Sequence, residues 1–313
     1  MARRLGILAA VLVLAVCLTE AGWRLFKTRG YGPTTNPRYV VHDDRFGWRY
    51  RPGARLRHRT TDFDVEVAIG PSGFREQPSL PGHPPAIVVL GDSLTFGWGV
   101  EGDETFASLL EQELDVPVWN LGISGYGTDQ QYLLLSERPF EEAHGVDFAP
   151  RVVIATYCGN DVEEVARRVM YGKSKPYYEG PAAAPRLAGV PVPFPLVERW
   201  SHLYRSLRRH ALERWRAPLT PAEVARAQDL VVWLYAVMAE EAADLGAELV
   251  VASWGGDWLD ARVEGLAGIH HLDLDPVLRQ GAYVFEHDPH WNPEGHAAVA
   301  RTIAVFLRER GLP

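Results

Sequence analysis

The chain reads as a three-layer α/β/α protein with a central parallel sheet of about five strands, and three observations predict it. Short apolar runs recur at Ala86–Leu90, Val116–Trp119, Arg151–Tyr157, Glu248–Trp254 and Gly268–Leu274. Runs of that length, rich in β-branched residues, suit strands covered on both faces. Stretches with apolar residues at helical spacing lie between them, and such alternation implies a parallel sheet with helices on both sides. The first three runs also end in Gly-, Ser- or Asn-bearing turns, and the carboxyl ends of strands are where open α/β sheets hold ligands.

At 313 residues the chain can hold one large domain or a medium one with extensions. Hydrophobic residues make up 47% and charged ones 23%, ordinary for a globular protein, so wholesale disorder is excluded. A net charge of −8 argues against nucleic acid as a partner. The two cysteines, Cys17 and Cys158, imply no disulfide framework.

Arg3 and Arg4 precede fourteen apolar residues, Leu5–Leu18. This is a signal peptide or signal-anchor over residues 1–26. The run is shorter than the roughly 20 residues a spanning helix wants, and extending it means passing Glu20. Thr19-Glu20-Ala21 is a mediocre cleavage site, so retention as an anchor is expected. The positive-inside rule then keeps the two arginines cytoplasmic and exports the body to the periplasm or cell exterior, where a cleaved chain would also go.

Residues 27–84 read as a small β-rich extension. Phe63–Ile69 alternates cleanly and predicts a strand with one buried face, followed by a turn at Ser72-Gly73-Phe74-Arg75 in which Arg75 is expected in solvent. Pro78–Pro85, with four prolines, reads as the linker into a domain spanning 85–313.

In that domain the first strand delivers Gly91-Asp92-Ser93, and Gly97 and Gly99 keep the following backbone loose. Thr105–Asp115 is a helix with Phe106, Leu109, Leu110 and Leu114 on one face. The second strand ends in Asn120-Leu121-Gly122-Ile123-Ser124-Gly125, and Thr128-Asp129-Gln130-Gln131 fits a capping box that opens the next helix. The turn lacks G-x-G-x-x-G spacing and a P-loop lysine, so no nucleotide cofactor is expected. The third strand runs into Cys158-Gly159-Asn160-Asp161, with Cys158 expected as a buried thiol and Asp161 as a fixer of the turn.

Residues 162–219 read as an insertion and possible lid, irregular over Lys173–Pro195, where Tyr177 and Tyr178 are expected to wall a site. Val197–Trp215 is then a helix with five arginines and an apolar stripe that includes Leu203, Leu207 and Ala211. It could lie on an anionic membrane or hold an acidic glycan, and a solvated basic face is the commoner outcome. Thr220-Pro221-Ala222-Glu223 combines a capping box with a proline at the first helical position. Asn292 and Pro293 begin the last helix, which Gly311 ends.

Just ahead of that helix stands Glu286-His287-Asp288-Pro289-His290-Trp291. His287 and His290 have H-x-x-H spacing, but the proline between them denies them one helix face, so no metal is expected. His296 is expected as a structural hydrogen-bonder.

Jointly, the Gly-Asp-Ser, Asn-Leu-Gly…Gly, Gly-Asn-Asp and Asp-x-His-Trp-Asn blocks resemble those of the GDSL/SGNH hydrolase family, in scattered motifs from about Ile87 to the C-terminus. The resemblance implies a flavodoxin-like fold and a serine esterase. Ser93 would be the nucleophile and His290 its base. The amides of Ser93 and Gly125 and the side chain of Asn160 would form the oxyanion hole. The commoner family pattern has an aspartate three residues before the histidine; here position 287 is His, and Asp288 stands two before. Asp288 is thus the expected orienting acid, in a form that resembles a branch including alginate-type O-acetyltransferases. The implied partner is an ester substrate, an acylated glycan or lipid, with no cofactor. Transfer of the acyl group to a sugar hydroxyl is the alternative. A degenerate glycan-binding or assembly scaffold is a second, disfavoured because Ser93, Gly125, Asn160 and His290 are all present.

Overall fold

Apolar patterning places two cores, one on each side of a sheet. The computed structural model describes residues 2–27, 39–77, 84–138, 148–189, 191–193, 195–214 and 216–312. Most of the proline-rich linker, 78–83, lies outside these. The chain opens with helix α1 (Ala2–Lys27), then two antiparallel hairpins, β1–β2 (Val40–Asp43, Gly47–Tyr50) and β3–β4 (Arg55–Arg59, Asp64–Ala68). Strand β5 (Ile87–Leu90) leads into the one-turn helix α2 (Ser93–Phe96), helix α3 (Phe106–Leu114), β6 (Val118–Asn120), α4 (Thr128–Glu137), β7 (Val152–Cys158) and α5 (Asp161–Ala166). Two small hairpins follow, β8–β9 (Val169–Met170, Lys173–Ser174) and β10–β11 (Tyr177–Glu179, Arg186–Ala188). Helices α6 (His202–Arg214) and α7 (Pro221–Asp244) lead to β12 (Glu248–Trp254), α8 (Asp257–Val263), β13 (Ile269–Asp273), α9 (Asp275–Leu278) and α10 (Pro293–Glu309).

The sheet order is β13-β12-β7-β5-β6, all parallel, with Ile87 opposite both Val118 and Val152. Numbered within the sheet alone this is 2-1-3-4-5, the flavodoxin-like order, whose switch point lies between β5 and β7. Strand side chains alternate between the two cores. Val88, Leu90, Val153 and Val251 meet Leu134 of α4 and Leu230, Leu234 and Met238 of α7. Ile87, Val89, Ile154 and Val250 meet Leu110 of α3 and Val299, Ile303 and Leu307 of α10. Each such side chain contributes about 1.5–3 kcal/mol by leaving water, which holds the carboxyl ends of β5, β6 and β7 side by side.

Local signals place several helix ends as expected. Thr220 and Glu223 form both bonds of their capping box, and Asn292 accepts from the Gly295 amide at 2.9 Å. Others yield to tertiary contacts. Thr128 is not a cap: Gly127 is, and the Thr128 hydroxyl donates to Asp161 Oδ1 at 2.7 Å. The expected Val197–Trp215 helix is a 3-10 turn (Leu196–Arg199) followed by α6, because Ser201 takes the Tyr204 amide at 3.0 Å and starts a new helix. The irregular insertion contains the two small hairpins, in which Arg168 covers the Tyr177 ring and Tyr178 packs on Trp233.

His296 is buried and its Nδ1 accepts from the Phe106 amide at 3.2 Å, a role open only to the neutral ring. Burial, then the Arg75 and His290 charges, push it down to about 3. The unfolded chain protonates near 6.5, so below that pH it binds a proton the folded chain refuses. Stability therefore falls with acidification by about 1.4 kcal/mol per pH unit from this group. His296→Asn keeps an acceptor but does not titrate. Urea unfolding between pH 6.5 and 4.5 should show a shallower loss for that variant; equal slopes would remove His296 as a cause.

Candidate active site

Three loops at the carboxyl ends of β5, β6 and β7 meet the loop before α10. Ser93 sits one turn past β5, on a strand-to-helix step that needs Gly91: a Cβ there would come within 2.0 Å of the Thr156 hydroxyl. Asp92 caps the short helix by accepting from the Leu94 amide at 2.9 Å, which fixes the backbone that carries Ser93. His290 Nε2 lies 2.7 Å from Ser93 Oγ. His290 Nδ1 bonds Asp288 Oδ1, which also accepts from the His290 backbone amide at 3.0 Å. The Asp288–Pro289–His290 turn thus holds the imidazole edge-on between a carboxylate and a hydroxyl, although 197 positions separate Ser93 from His290.

Trp98, in the loop after Ser93, completes this arrangement and was not singled out from the sequence. Its Nε1–H donates to Asp288 Oδ2 at 3.2 Å, and its ring stacks on His290 with centroids 5.2 Å apart. Burial alone would raise the Asp288 carboxyl. The bonds from His290 and Trp98 outweigh it and hold it below the usual carboxylate range, so it is charged at neutral pH.

Gly125 and Asn160 reach the same end of the sheet by different routes. Gly125 has φ +82°, and a Cβ would come within 2.6 Å of the Tyr171 ring, so only glycine fits. Asn160 Nδ2 donates to Glu164 Oε1 at 2.9 Å and lies 3.5 Å from Asp92 Oδ2. Glu164 also takes the Tyr171 hydroxyl at 2.5 Å. Burial, then the Asp92 charge, push Glu164 up from the ordinary range. Tyr171 holds φ +51°, a left-handed conformation costly for a bulky residue, and no sequence signal marks it. Glu164 was legible in principle, since i+4 spacing puts it beside Asn160 on α5.

The extension, which carries no catalytic motif, underlies much of this. Tyr50 Oη accepts from the Ser124 amide at 3.2 Å, and Trp48 Nε1 donates to the Ser124 carbonyl at 3.3 Å, so β2 clamps the Gly125 turn. Arg75, expected in solvent, is 2% exposed. Its guanidinium donates to the carbonyls of Gly97 (2.9 Å) and Val100 (2.6 Å), bracketing Trp98. Short-range sequence could not reveal this, because the acceptors lie more than 20 positions away. His58 packs edge-on against Trp98, and Asp62 binds His287, the first histidine of H-x-x-H, at 2.8 Å, while His290 pairs with Ser93 and Asp288. Tyr177 and Tyr178 are tied up on the insertion and α7, so among insertion residues it is Tyr171 that reaches Gly125. Cys158 is half-buried and its thiol is pushed well up by burial and by Asp92, the opposite of thiolate activation.

Residues 89–298 match the sequence profile of the GDSL-like Lipase/Acylhydrolase family. No curated protein matches the chain. Among solved structures, a G-D-S-L family lipolytic protein of Desulfitobacterium hafniense is 13% identical, with a TM-score of 0.39, 70% of this chain and 97% of that one being covered. A carbohydrate esterase family 2 enzyme of Corynascus thermopiles is 16% identical, with a TM-score of 0.42 and coverage of 76% and 69%. Another carbohydrate esterase is 12% identical, with a TM-score of 0.45 and coverage of 87% and 85%.

Proposed function

The chain belongs to the GDSL-like lipase/acylhydrolase family and is a hydrolase acting on esters, and from that premise we propose that it cleaves a carboxylic ester through an acyl-serine intermediate on Ser93. The observation that carries this reading is the continuous hydrogen-bond chain Ser93–His290–Asp288.

His290 takes the Ser93 proton on Nε2 as the oxygen attacks the ester carbon. Asp288 accepts from Nδ1–H, which keeps Nε2 free as the acceptor and stabilises the imidazolium that forms. Trp98 is a positioning residue that holds the outer oxygen of Asp288. Charge develops on the former carbonyl oxygen and is received by the amides of Ser93 and Gly125 and by Asn160 Nδ2, each donor being worth about 10²–10³ in rate. Glu164 takes one Asn160 N–H at 2.9 Å, and the longer 3.5 Å approach to Asp92 is the one given up when Nδ2 turns to the oxyanion. His290 then protonates the leaving alcohol, and water attacks the acyl-serine by the reverse sequence.

The substrate class we favour is a short acyl or O-acetyl ester on a glycan or lipid outside the cytoplasm. Residues 1–26 would be the signal-anchor, 27–84 an extension that supports the site, and 85–313 the hydrolase domain. One apolar helix, with a 20-residue stretch from Arg3 to Gly22, supports the anchor.

The test is to incubate the full chain with short- and long-chain p-nitrophenyl esters and with acetylated polysaccharides, scoring free acid against transfer to an added sugar. Acid quenching during turnover should leave one acyl group on the Ser93 peptide, seen by mass spectrometry. Turnover with the acyl group on any other residue would overturn the mechanism.

A further inference from the structure

Tyr171 is held in a backbone conformation that its side chain disfavours. Met170 pairs with Lys173 across β8–β9, which leaves Tyr171 and Gly172 as a two-residue hairpin loop. Both have positive φ, +51° and +75°. Such a loop ordinarily takes Asn, Asp or Gly at its first position, because a bulky side chain there crowds its own backbone. A residue kept in so sparse a region needs surroundings that over-determine it, and residues of this kind cluster at functional sites.

Those surroundings start from a buried ion pair at the foot of the hairpin. The Lys175 ammonium donates to Asp129 Oδ2 of α4 at 2.5 Å and to the Glu164 carbonyl of α5 at 2.8 Å. A buried charge must be paired and hydrogen-bonded, and here the pairing pins the hairpin to two helices. Strand β2 closes on the other side: a Cβ on Gly47 would come within 2.5 Å of the Ser174 carbonyl oxygen. The loop that carries Tyr171 therefore stands on a fixed base.

From that base Tyr171 touches both halves of the oxyanion hole. Its ring occupies the space a side chain on Gly125 would need. Its hydroxyl donates to Glu164 Oε1 at 2.5 Å, the same oxygen that accepts from Asn160 Nδ2 at 2.9 Å. Burial, then the Glu164 carboxylate, push the Tyr171 phenol up, so it stays the donor in this bond. Asn160 Oδ1 is buried with no hydrogen-bond partner among the described residues, so the amide is oriented through Nδ2. Loosening Glu164 would let that amide turn, and a donor misplaced by about 1 Å can cost 10²-fold in rate.

We propose that Tyr171 is a positioning residue for ester hydrolysis: it fixes Glu164 and, through it, holds the Asn160 amide in the orientation the oxyanion needs. The inference deepens the acyl-serine reading and rests on it. The insertion thereby serves catalysis without supplying a reacting atom. Because the Asn160 bond strengthens only as charge develops on the substrate oxygen, the effect belongs in kcat rather than KM.

The test is a double-mutant cycle on the full chain with p-nitrophenyl acetate, reading kcat, KM and the thermal midpoint. Tyr171→Phe keeps the ring on Gly125 and removes the hydroxyl alone. It should lower kcat about tenfold, with KM changed less than about twofold and the midpoint held within a few degrees. Asn160→Ala should lower kcat about 10²–10³-fold. Adding Tyr171→Phe to Asn160→Ala should then cost less than about twofold more, since the group that the hydroxyl positions is gone. A further tenfold loss in that background would give the hydroxyl an independent role and overturn the proposal, leaving the acyl-serine reading intact. A change confined to KM would assign the hydroxyl to substrate binding, and full activity in Tyr171→Phe would leave it no role; either also overturns the proposal alone. Near-full activity in Asn160→Ala would remove the oxyanion-hole assignment and the proposal with it.

Discussion

Ser93→Ala should abolish ester hydrolysis, lowering kcat by at least roughly 10⁴-fold, with the thermal midpoint unchanged within a few degrees. The two halves of that expectation have separate causes. Ser93 Oγ supplies the attacking atom, and its bonding partner among the described residues is His290 Nε2. The turn itself is held by Asp92 on the Leu94 amide and by Gly91 against Thr156, neither of which the substitution touches. Alanine also suits the first position of a helix. His290→Ala should fall as far, since an unassisted hydroxyl is a poor nucleophile at neutral pH. Near-full turnover of p-nitrophenyl acetate by either variant would end the serine-esterase reading.

Asp288→Asn should cost about 10³–10⁴-fold in kcat while Glu286→Gln changes it less than about twofold. Three donors converge on Asp288: His290 Nδ1–H and the His290 amide on one oxygen, Trp98 Nε1–H on the other. A carboxylate accepts all three, whereas an amide has one oxygen and must set its own NH₂ against a donor. Either orientation breaks part of the clamp, and both remove the charge that stabilises the imidazolium. Glu286 is exposed. Trp98→Phe keeps the stacked ring and loses one N–H, so a drop of about tenfold is expected, chiefly in kcat, and with it a changed pH profile. Loss of activity in Glu286→Gln with Asp288→Asn intact would reassign the acid.

Sequence spacing reached the site unevenly. Ser93, Gly125 and Asn160 each follow a buried strand, and the strand–turn–helix pattern that exposes them is local, spanning fewer than ten residues. Asp288 and His290 precede a helix marked by Asn292 and Pro293, again a local signal. Trp98 sat in plain view in the first block, yet its role depends on an oxygen 190 positions away. Arg75 was misjudged for the same reason. A lone arginine in a turn ordinarily stays solvated, and here the Gly97 and Val100 carbonyls, 22 and 25 positions away, replace its water. The Thr128 capping box failed because a buried aspartate, Asp161, competed for its hydroxyl.

Strand runs, helix faces and strand-end turns are short-range consequences of side-chain shape and hydrophobicity. From them the order of elements and the parallel sheet could be written down, while the positions expected to carry the reactive groups came from the resemblance of four motif blocks to the GDSL/SGNH family. Which groups touch is another matter. That an N-terminal hairpin clamps the Gly125 turn and that Trp98 braces Asp288 depend on bonds across 74 to 190 positions. Hydrogen bonds of that reach form only once burial of two apolar cores has brought the loops to one end of the sheet, and no pattern along the chain encodes them.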